Sequence, residues 1–570
     1  MIGHRSPISG IACWEDTWVA TAGYDNQIIL WDAASGTARA RSNHDHLANQ
    51  CTFSPDGRHL LSSSSDYSAR IWSVPDLRLV AVLGEHDDDV EMAAFHPNRD
   101  LVATASRDHK VRVFRTTGEN VQTFSGHSAD VISVAWASDG DTLISSSDDG
   151  TIKRWSLAQG TMVDDLDMDG VETDTIALSP EGSIYAGNDA GEIVCIDRSG
   201  QLTRTRAHEA GVKRLVLGLE QSLLVSLSYD RTARLWDVTG ESLHLVGETT
   251  MPDDVWPRSC AFSKDGQLVF GTFGRTYRTY DYVAQRWNDA AAAPTPGLNA
   301  VAAVAGGPVL AVGDAGVVQA ELDAGSKAIV ELGSLCNFLT PVAGVVFAGG
   351  QLGRLFDARS GVVIHQHRSP LNCGAHWRSD GVDHAIVGTY TGEGLLLDVE
   401  GDTARVVDTV PLLRNAVKGV AAGDQLLFAV GADCSAGWWD LRTLARVEIR
   451  PNAHDRIANG CAALGNDRFV SVSRDLLVRV WEGTELADTI TTPHEHSIKC
   501  VAANADGKVV ATGGYDGTVA LLDVVTRRWL LTQRPTTSGI SSITWCDAES
   551  AFLASSYDGM IYRVAPGLEA

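Results

Sequence analysis

Residues 126–156 read GHSADVISVAWASDGDTLISSSDDGTIKRWS, and this stretch decides the fold. A Gly126-His127 corner opens it, and two short apolar runs, Leu143–Ser147 and Ile152–Trp155, flank the Asp149-Gly150 pair. Asp-Gly between strand-like runs signals a tight hairpin, because glycine accepts the left-handed backbone that such a turn needs. Within the stretch, His127 stands 22 residues before Asp149, Asp149 six before Trp155, and Ser145 four before Asp149.

With 21 or 22 residues from histidine to aspartate, this spacing occurs seven times along the chain. The pairs are His4 with Asp25, His44 with Asp66, His86 with Asp108, His127 with Asp149, His208 with Asp230, His454 with Asp475 and His494 with Asp516. Six residues beyond each aspartate come Trp31, Trp72, Phe114, Trp155, Trp236, Trp481 and Leu522. Four residues before each stands a hydroxyl: Thr21, Ser62, Thr104, Ser145, Ser226, Ser471 or Thr512. Chemistry is done once in a chain, whereas bracing repeats. The columns therefore predict a buried relay in which aspartate accepts from imidazole, imidazole meets hydroxyl, and hydroxyl accepts from indole.

Carried through the units without histidine, the register gives strand ends at 31, 72, 114, 155, 196, 236, 280, 320, 356, 397, 439, 481, 522 and 564. Successive positions lie 40 to 44 residues apart, except for a gap of 36 before 356. Apolar runs between turns alternate or stay short, and no stretch carries a helical period. About fourteen β units thus account for almost the whole chain.

With its Gly3-His4 and Gly126-His127 corners, and Trp31-Asp32, Trp236-Asp237 and Trp439-Asp440, the sequence resembles the WD40-repeat family of β-propellers. The resemblance is strong over 1–237 and 440–524 and degraded between 240 and 437. It implies an all-β chain of about fourteen blades, each with four antiparallel strands. Known rings typically carry four to eight blades, so two seven-bladed propellers are expected. The small, Pro-containing stretch from Asn288 to Gly297 lacks a strand pattern and places the boundary between residues 1–293 and 294–570.

Composition points the same way, with 44% hydrophobic and 21% charged residues. The chain has no run of 18 apolar residues and opens directly into a repeat, so a membrane partner is not expected and a cytoplasmic location is. Ten cysteines form no C-x-x-C pair, and Cys13, Cys51, Cys461 and Cys500 fall on inner strands, as buried thiols in a reducing compartment would. A formal net charge of −26 disfavours nucleic acid, whose affinity rests on Lys and Arg, and favours a protein or peptide partner with a basic segment.

Catalytic patterns are absent: the chain has no phosphate loop of the G-x-x-x-x-G-K-[ST] type, no H-E-x-x-H and no G-x-S-x-G. His494-Glu495-His496 and His44 with His46 look like metal pairs, but the repeat columns already use His494 and His44. Asp165, Asp167 and Asp169 before Gly170 resemble the opening of a calcium loop, although Ile176 stands where the closing glutamate belongs. No cofactor is expected.

In this family the resemblance implies that loops at the narrow end of the ring contact partners. The position before each turn aspartate points there and holds Tyr24, Arg107, Tyr229, Arg474, Tyr515 and Tyr557, with Ser65, Asp148 and Asn188 as smaller or polar members. Tyrosine and arginine are the residue types that dominate binding energy at interfaces. Asp253-Asp254-Val255-Trp256 is expected to cap its ring, and Trp438-Trp439 to pack between blades. The expected function is a non-enzymatic scaffold that holds protein or peptide partners and organises or regulates a complex. The alternative is a ligand- or metal-sensing propeller regulating a separate enzyme.

Overall fold

The computed structural model describes residues 3–218, 222–239, 242–288, 292–322 and 325–566. Residues 289–291, part of the expected linker, lie outside the described ones. Among the described residues all regular structure is β: thirteen antiparallel sheets of four strands and a last sheet of three, Ile540–Cys546, Ala551–Ser556 and Ile561–Val564. Each sheet is a meander in chain order, so every unit of about 41 residues makes its own sheet. All fourteen strand-end positions read from the sequence fall on the third strand of their sheet. No described helix is long and apolar enough to cross a membrane.

The sheets group into two compact units, Met1–Thr295 and Pro296–Ala570. In the first, the innermost strand of each sheet packs against that of the next, and Val255–Phe262 of the seventh returns to Ile8–Trp14 of the first. In the second, the same succession runs from Leu298–Ala303 to Ile540–Cys546 and back. Each unit is therefore a closed ring of seven blades, numbered 1–7 and 8–14.

Closure is sealed by apolar side chains between blades. Ile11, Ile29 and Trp31 of blade 1 cluster with Val269 of blade 7, and Val301 of blade 8 with Cys546 and Leu553 of blade 14. Trp438 is fully buried between Phe428 and Trp481 (5.0 and 5.2 Å between ring centroids), joining blades 11 and 12. Burial pushes the thiols of Cys51, Cys260 and Cys500 up to about 12.

The relay is the polar counterpart of this packing. In blade 4, His127 Nδ1 donates to Asp149 (2.8 Å), His127 Nε2 meets Ser145 Oγ (2.8 Å), and the Trp155 indole donates to the same oxygen (2.8 Å). His4, His44 and His208 repeat the geometry with Asp25, Asp66 and Asp230, at 2.8 to 3.0 Å. His86 keeps Asp108 (3.0 Å) and Thr104 (2.7 Å), with Phe114 in place of the indole. All seven column imidazoles are buried.

Two relays stay open on their acidic side. His454 and His494 keep Ser471 and Thr512 (2.8 Å each), but neither Nδ1 has a hydrogen-bond partner. Asp475 turns instead to the Arg479 guanidinium (2.6 Å), and Asp516, 3.8 Å from His494, accepts from the N–H and hydroxyl of Thr518. The sequence columns carry no sign of this difference: Thr151, two residues after Asp149, and Arg112, four after Asp108, donate to aspartates that keep their imidazoles.

Candidate functional site

Two features of every blade build the face on which partners would sit. The innermost strand begins with a bulge, one residue left unpaired between consecutive ladder partners, as Ser9 is between Ile8 and Gly10; in blade 7 the unpaired stretch is longer and runs between Val255 and Cys260. The hairpin joining the second and third strands then donates a backbone N–H to the residue opening that strand, as Tyr24 does to Pro7. Three positions per blade therefore surround the mouth of each ring: the opening residue, the bulge and the hairpin residue.

In the first ring these positions collect charge. Asp89, Asp130, Glu172 and Asp254 open their blades, Glu91 and Asp174 occupy bulges, and Asp148 and Asp189 occupy hairpins. Three cations stand among them: Arg107 in a hairpin, and Lys213 and Arg258 in the bulges of blades 6 and 7. Arg107 bridges Glu91 and Asp130, while Lys213 bridges Asp174 and Asp189 and lies 5.3 Å over the Tyr229 ring. Arg258 reaches the Tyr24 hydroxyl (3.4 Å) and lies 5.7 Å over Trp256.

Eight carboxylates stand against three cations at these positions, and although Arg278 pairs with Asp254 (2.8 Å), the mouth stays short of positive charge. Burial pushes the Asp148 carboxyl well above its usual range, and Glu172, Asp130 and Asp174 push it further. Asp189 is raised to about 6 by burial, with Asp174 adding to the shift. Against the same burial, Lys213 holds Asp174 below the usual carboxylate range.

The second ring presents different side chains at equivalent positions. Its bulges hold Asn299, Asn337, Asn372, Lys418, Asn459, Lys499 and Ser541. Its hairpins hold Asp314, Gln351, Tyr390, Ala432, Arg474, Tyr515 and Tyr557, and no opening residue is charged. Asn337, Asn372 and Asn459 each donate to a backbone carbonyl of the following blade, at 2.7 to 2.9 Å.

Tyr24, Arg107 and Tyr229 thus stand at the first mouth, and Arg474, Tyr515 and Tyr557 at the second. Tyr24 meets Trp256 edge-on (5.1 Å, 83°), and Trp256 is buried against Phe273 (5.6 Å), so it caps the ring. Asn188 is not on the mouth. It ends the strand Ile184–Asn188, buried and bonded to Glu192, and Asp189 takes the hairpin position. The register from position 196 placed the slot one residue later than the Gly187-Asn188-Asp189 turn suggested.

The calcium-loop reading is corrected. Asp165 and Asp167 lie on the outer strand Thr161–Asp167, where the backbone is extended and cannot wrap an ion. Asp165 pairs with Lys153 (2.6 Å), Asp167 accepts from the Gly170 N–H (3.3 Å), and Asp169 pairs with Arg204 (2.7 Å). Among the described residues, no group of three His, Cys, Asp or Glu side chains is placed to hold a metal. The acidic mouth is the cluster that sequence reading missed. Its signal is the residue two before the bulge, visible only once the bulge fixes the register.

A closed ring of meander blades braced by His–Asp–Ser/Thr–Trp relays defines a β-propeller, here in tandem. Sequence comparison adds the family. The profile described as "WD domain, G-beta repeat" matches residues 1–32, 39–73 and 200–237, and that of the anaphase-promoting complex subunit 4 WD40 domain matches 92–197 and 461–548. The chain belongs to the WD40-repeat family.

Curated relatives include the transcriptional corepressor LEUNIG_HOMOLOG of Arabidopsis thaliana, 26% identical over 39% of this chain and 28% of that protein. The target of rapamycin complex subunit wat1 of Schizosaccharomyces pombe is 25% identical over 40% of this chain and 76% of its own length. The nuclear distribution protein PAC1 of Arthroderma otae is 28% identical over 49% of this chain and 59% of its own. The matches therefore span between about a quarter and three quarters of these relatives.

Proposed function

We propose that this chain is a non-enzymatic scaffold that holds protein or peptide partners on its propeller faces, and that the mouth of the first ring takes a basic segment. The carrying observation is the excess of carboxylates there, with Asp148 and Asp189 raised by burial and further by neighbouring carboxylates. A lysine or arginine side chain laid across the mouth relieves that repulsion, and relief of strain already present in the free protein adds to affinity. Relatives that are by name complex subunits support the scaffold class.

A labelled Lys/Arg-rich peptide titrated against the full chain tests the reading by fluorescence anisotropy. Asp148→Asn removes one repelled carboxylate, so it leaves the melting temperature unchanged or higher while weakening the peptide by about tenfold, or roughly 1.4 kcal/mol. An affinity untouched by Asp148→Asn together with Asp174→Asn would remove this mouth from the proposal.

A further inference from the structure

At the end of the second ring away from its mouth, blades 10 and 11 enclose a cleft of about 570 Å³. That volume lies within the range of small-molecule sites, about 300–1,000 Å³. One turn creates it. Asp380 and Gly381 take φ of 50 and 84, the left-handed backbone of a two-residue hairpin, so the inner ladder of blade 10 runs on to Ser379 and Val382. Counted from its bulge at Lys418, the matching ladder of blade 11 stops three pairs earlier, at Ala422 and Leu427. The extra length of blade 10 places Trp377, Arg378 and Ser379 along one wall of the cleft, and residues 423–425 and 440–442 of blade 11 form the other.

We propose that this cleft binds a small oxyanion, the carboxylate or phosphate group of a small molecule. It belongs to neither mouth and stands whether or not the scaffold reading holds.

The deciding atom is Trp377 Nε1. The indole lines the cleft and is 8% exposed, and its N–H has no hydrogen-bond partner. An indole nitrogen only donates, and a buried donor without an acceptor is costly. What enters the cleft is therefore called on to accept. The ring is held in place: it belongs to one apolar cluster with Trp439 and Leu441 of blade 11 and stacks on His384 (5.5 Å between centroids, 29°). His384 is itself fixed, because its Nδ1 donates to Asp398 (2.9 Å).

The charges around the indole favour an ionised acceptor. Arg378, beside it in the chain, and Arg442, from the facing blade, are exposed at the rim, and neither enters an ion pair among the described residues. Arg378 donates to the Gly381 carbonyl (3.4 Å), which leaves most of its donors over. Guanidinium groups match carboxylate and phosphate in both shape and charge. Two carboxylates also line the cleft. Asp440 serves its own turn, accepting from the N–H groups of Arg442 and Thr443 and from the Thr443 hydroxyl (2.8 to 3.1 Å), and Asp424 is exposed at the rim. A cation would meet those acids, yet it would face both guanidiniums and leave the indole donor stranded. The rest of the chain's net charge of −26 is screened beyond about 8 Å at physiological ionic strength, so the nearby groups decide.

The test is equilibrium dialysis of the full chain against labelled inorganic phosphate and, separately, labelled citrate, in about 0.15 M sodium chloride. Retention of one or both at a single site is expected, and the tighter of the two names the group. Trp377→Phe keeps an aromatic ring and removes the N–H, so it should weaken binding by about tenfold. Arg378→Gln with Arg442→Gln, confined to the exposed rim, should weaken it at least as much and serves if Trp377→Phe melts early. Asp424→Asn should strengthen binding, the opposite of its effect on a cation site. Retention of neither anion, retention indifferent to both the tryptophan and the arginine variants, or a loss on Asp424→Asn overturns the proposal.

Discussion

Replacing Asp149 by alanine removes an acceptor on which four donors converge: His127 Nδ1 (2.8 Å), the Ser128 N–H (3.0 Å), and the Thr151 N–H and hydroxyl (2.9 and 2.6 Å). The carboxylate is 5% exposed and the imidazole fully enclosed, so water cannot replace it at the ring nitrogen. A stranded buried N–H costs about 1–3 kcal/mol, and hydrogen bonds to a charged group contribute about 1.5–3 kcal/mol. The threonine hydroxyl can rotate and the backbone groups lie near solvent, so the expected total is about 3–4 kcal/mol. At roughly 2–4 °C per kcal/mol, the transition of the first unit should fall by about 10 °C.

The pH dependence of that penalty has a definite sign. Burial raises the Asp149 pKa, but the hydrogen bonds from His127 and Thr151 outweigh it and hold the carboxyl below its usual range. A depressed folded-state pKa gives stability that is present above the unfolded value, near 3.8, and lost as pH falls through the folded one. The Asp149→Ala penalty should therefore shrink below about pH 4. Urea unfolding of wild type, both single variants and His127→Ala/Asp149→Ala at neutral pH supplies the coupling energy, expected at about 2 kcal/mol. A penalty under about 1 kcal/mol, or one of equal size when His127 is already alanine, would refute the buried relay.

Asp475→Ala should instead couple weakly to His454, whose Nδ1 makes no bond to it, and strongly to Arg479; the same double-mutant comparison checks this. Burial and the Arg479 charge lower the His454 pKa to about 3, so the unfolded chain binds its proton first. Stability associated with His454 is lost as pH falls from about 6.5 toward 3, by up to about 1.4 kcal/mol per unit, and His454→Asn should flatten that limb of a urea titration. Gly517 has φ +83, and a Cβ there would stand 2.2 Å from the Thr536 carbonyl oxygen, so Gly517→Ala should cost at least about 3 kcal/mol. Leu476, at φ 63 in the same turn position of blade 12, should gain about 1 kcal/mol as glycine, read from its urea midpoint. Binding of the Lys/Arg-rich peptide should strengthen as pH rises through about 6, where Asp189 ionises, and Asp189→Asn should remove that dependence.

The sequence by itself determined the blade. Each turn aspartate lies within one unit of its histidine and hydroxyl, and strand periodicity carries a side chain to a known face of a known strand. For that reason the third-strand positions could be placed even where histidine and tryptophan are missing, as at Ile196, Ala320 and Leu397. Spacing alone could not say whether a carboxylate, once brought beside an imidazole, would stay there. Asp475 takes Arg479 without His454, whereas Asp108 keeps both His86 and Arg112, a difference that only coordinates reveal.

The functional face was legible only in part. Tyr24, Arg107, Tyr229, Arg474, Tyr515 and Tyr557 could be read from their hairpins. The residues that set the charge of each mouth, such as Glu91, Asp174, Lys213, Lys418 and Lys499, occupy bulges. A bulge is a slip in backbone pairing that leaves no mark in composition, and it alone decides which of several neighbouring charges faces the ring opening. Ring closure then brings side chains from successive blades together, so Lys213 meets Asp174 from 39 residues away. The acidic first mouth is thus a property of the closed ring, because charge adds by distance in space and not along the chain.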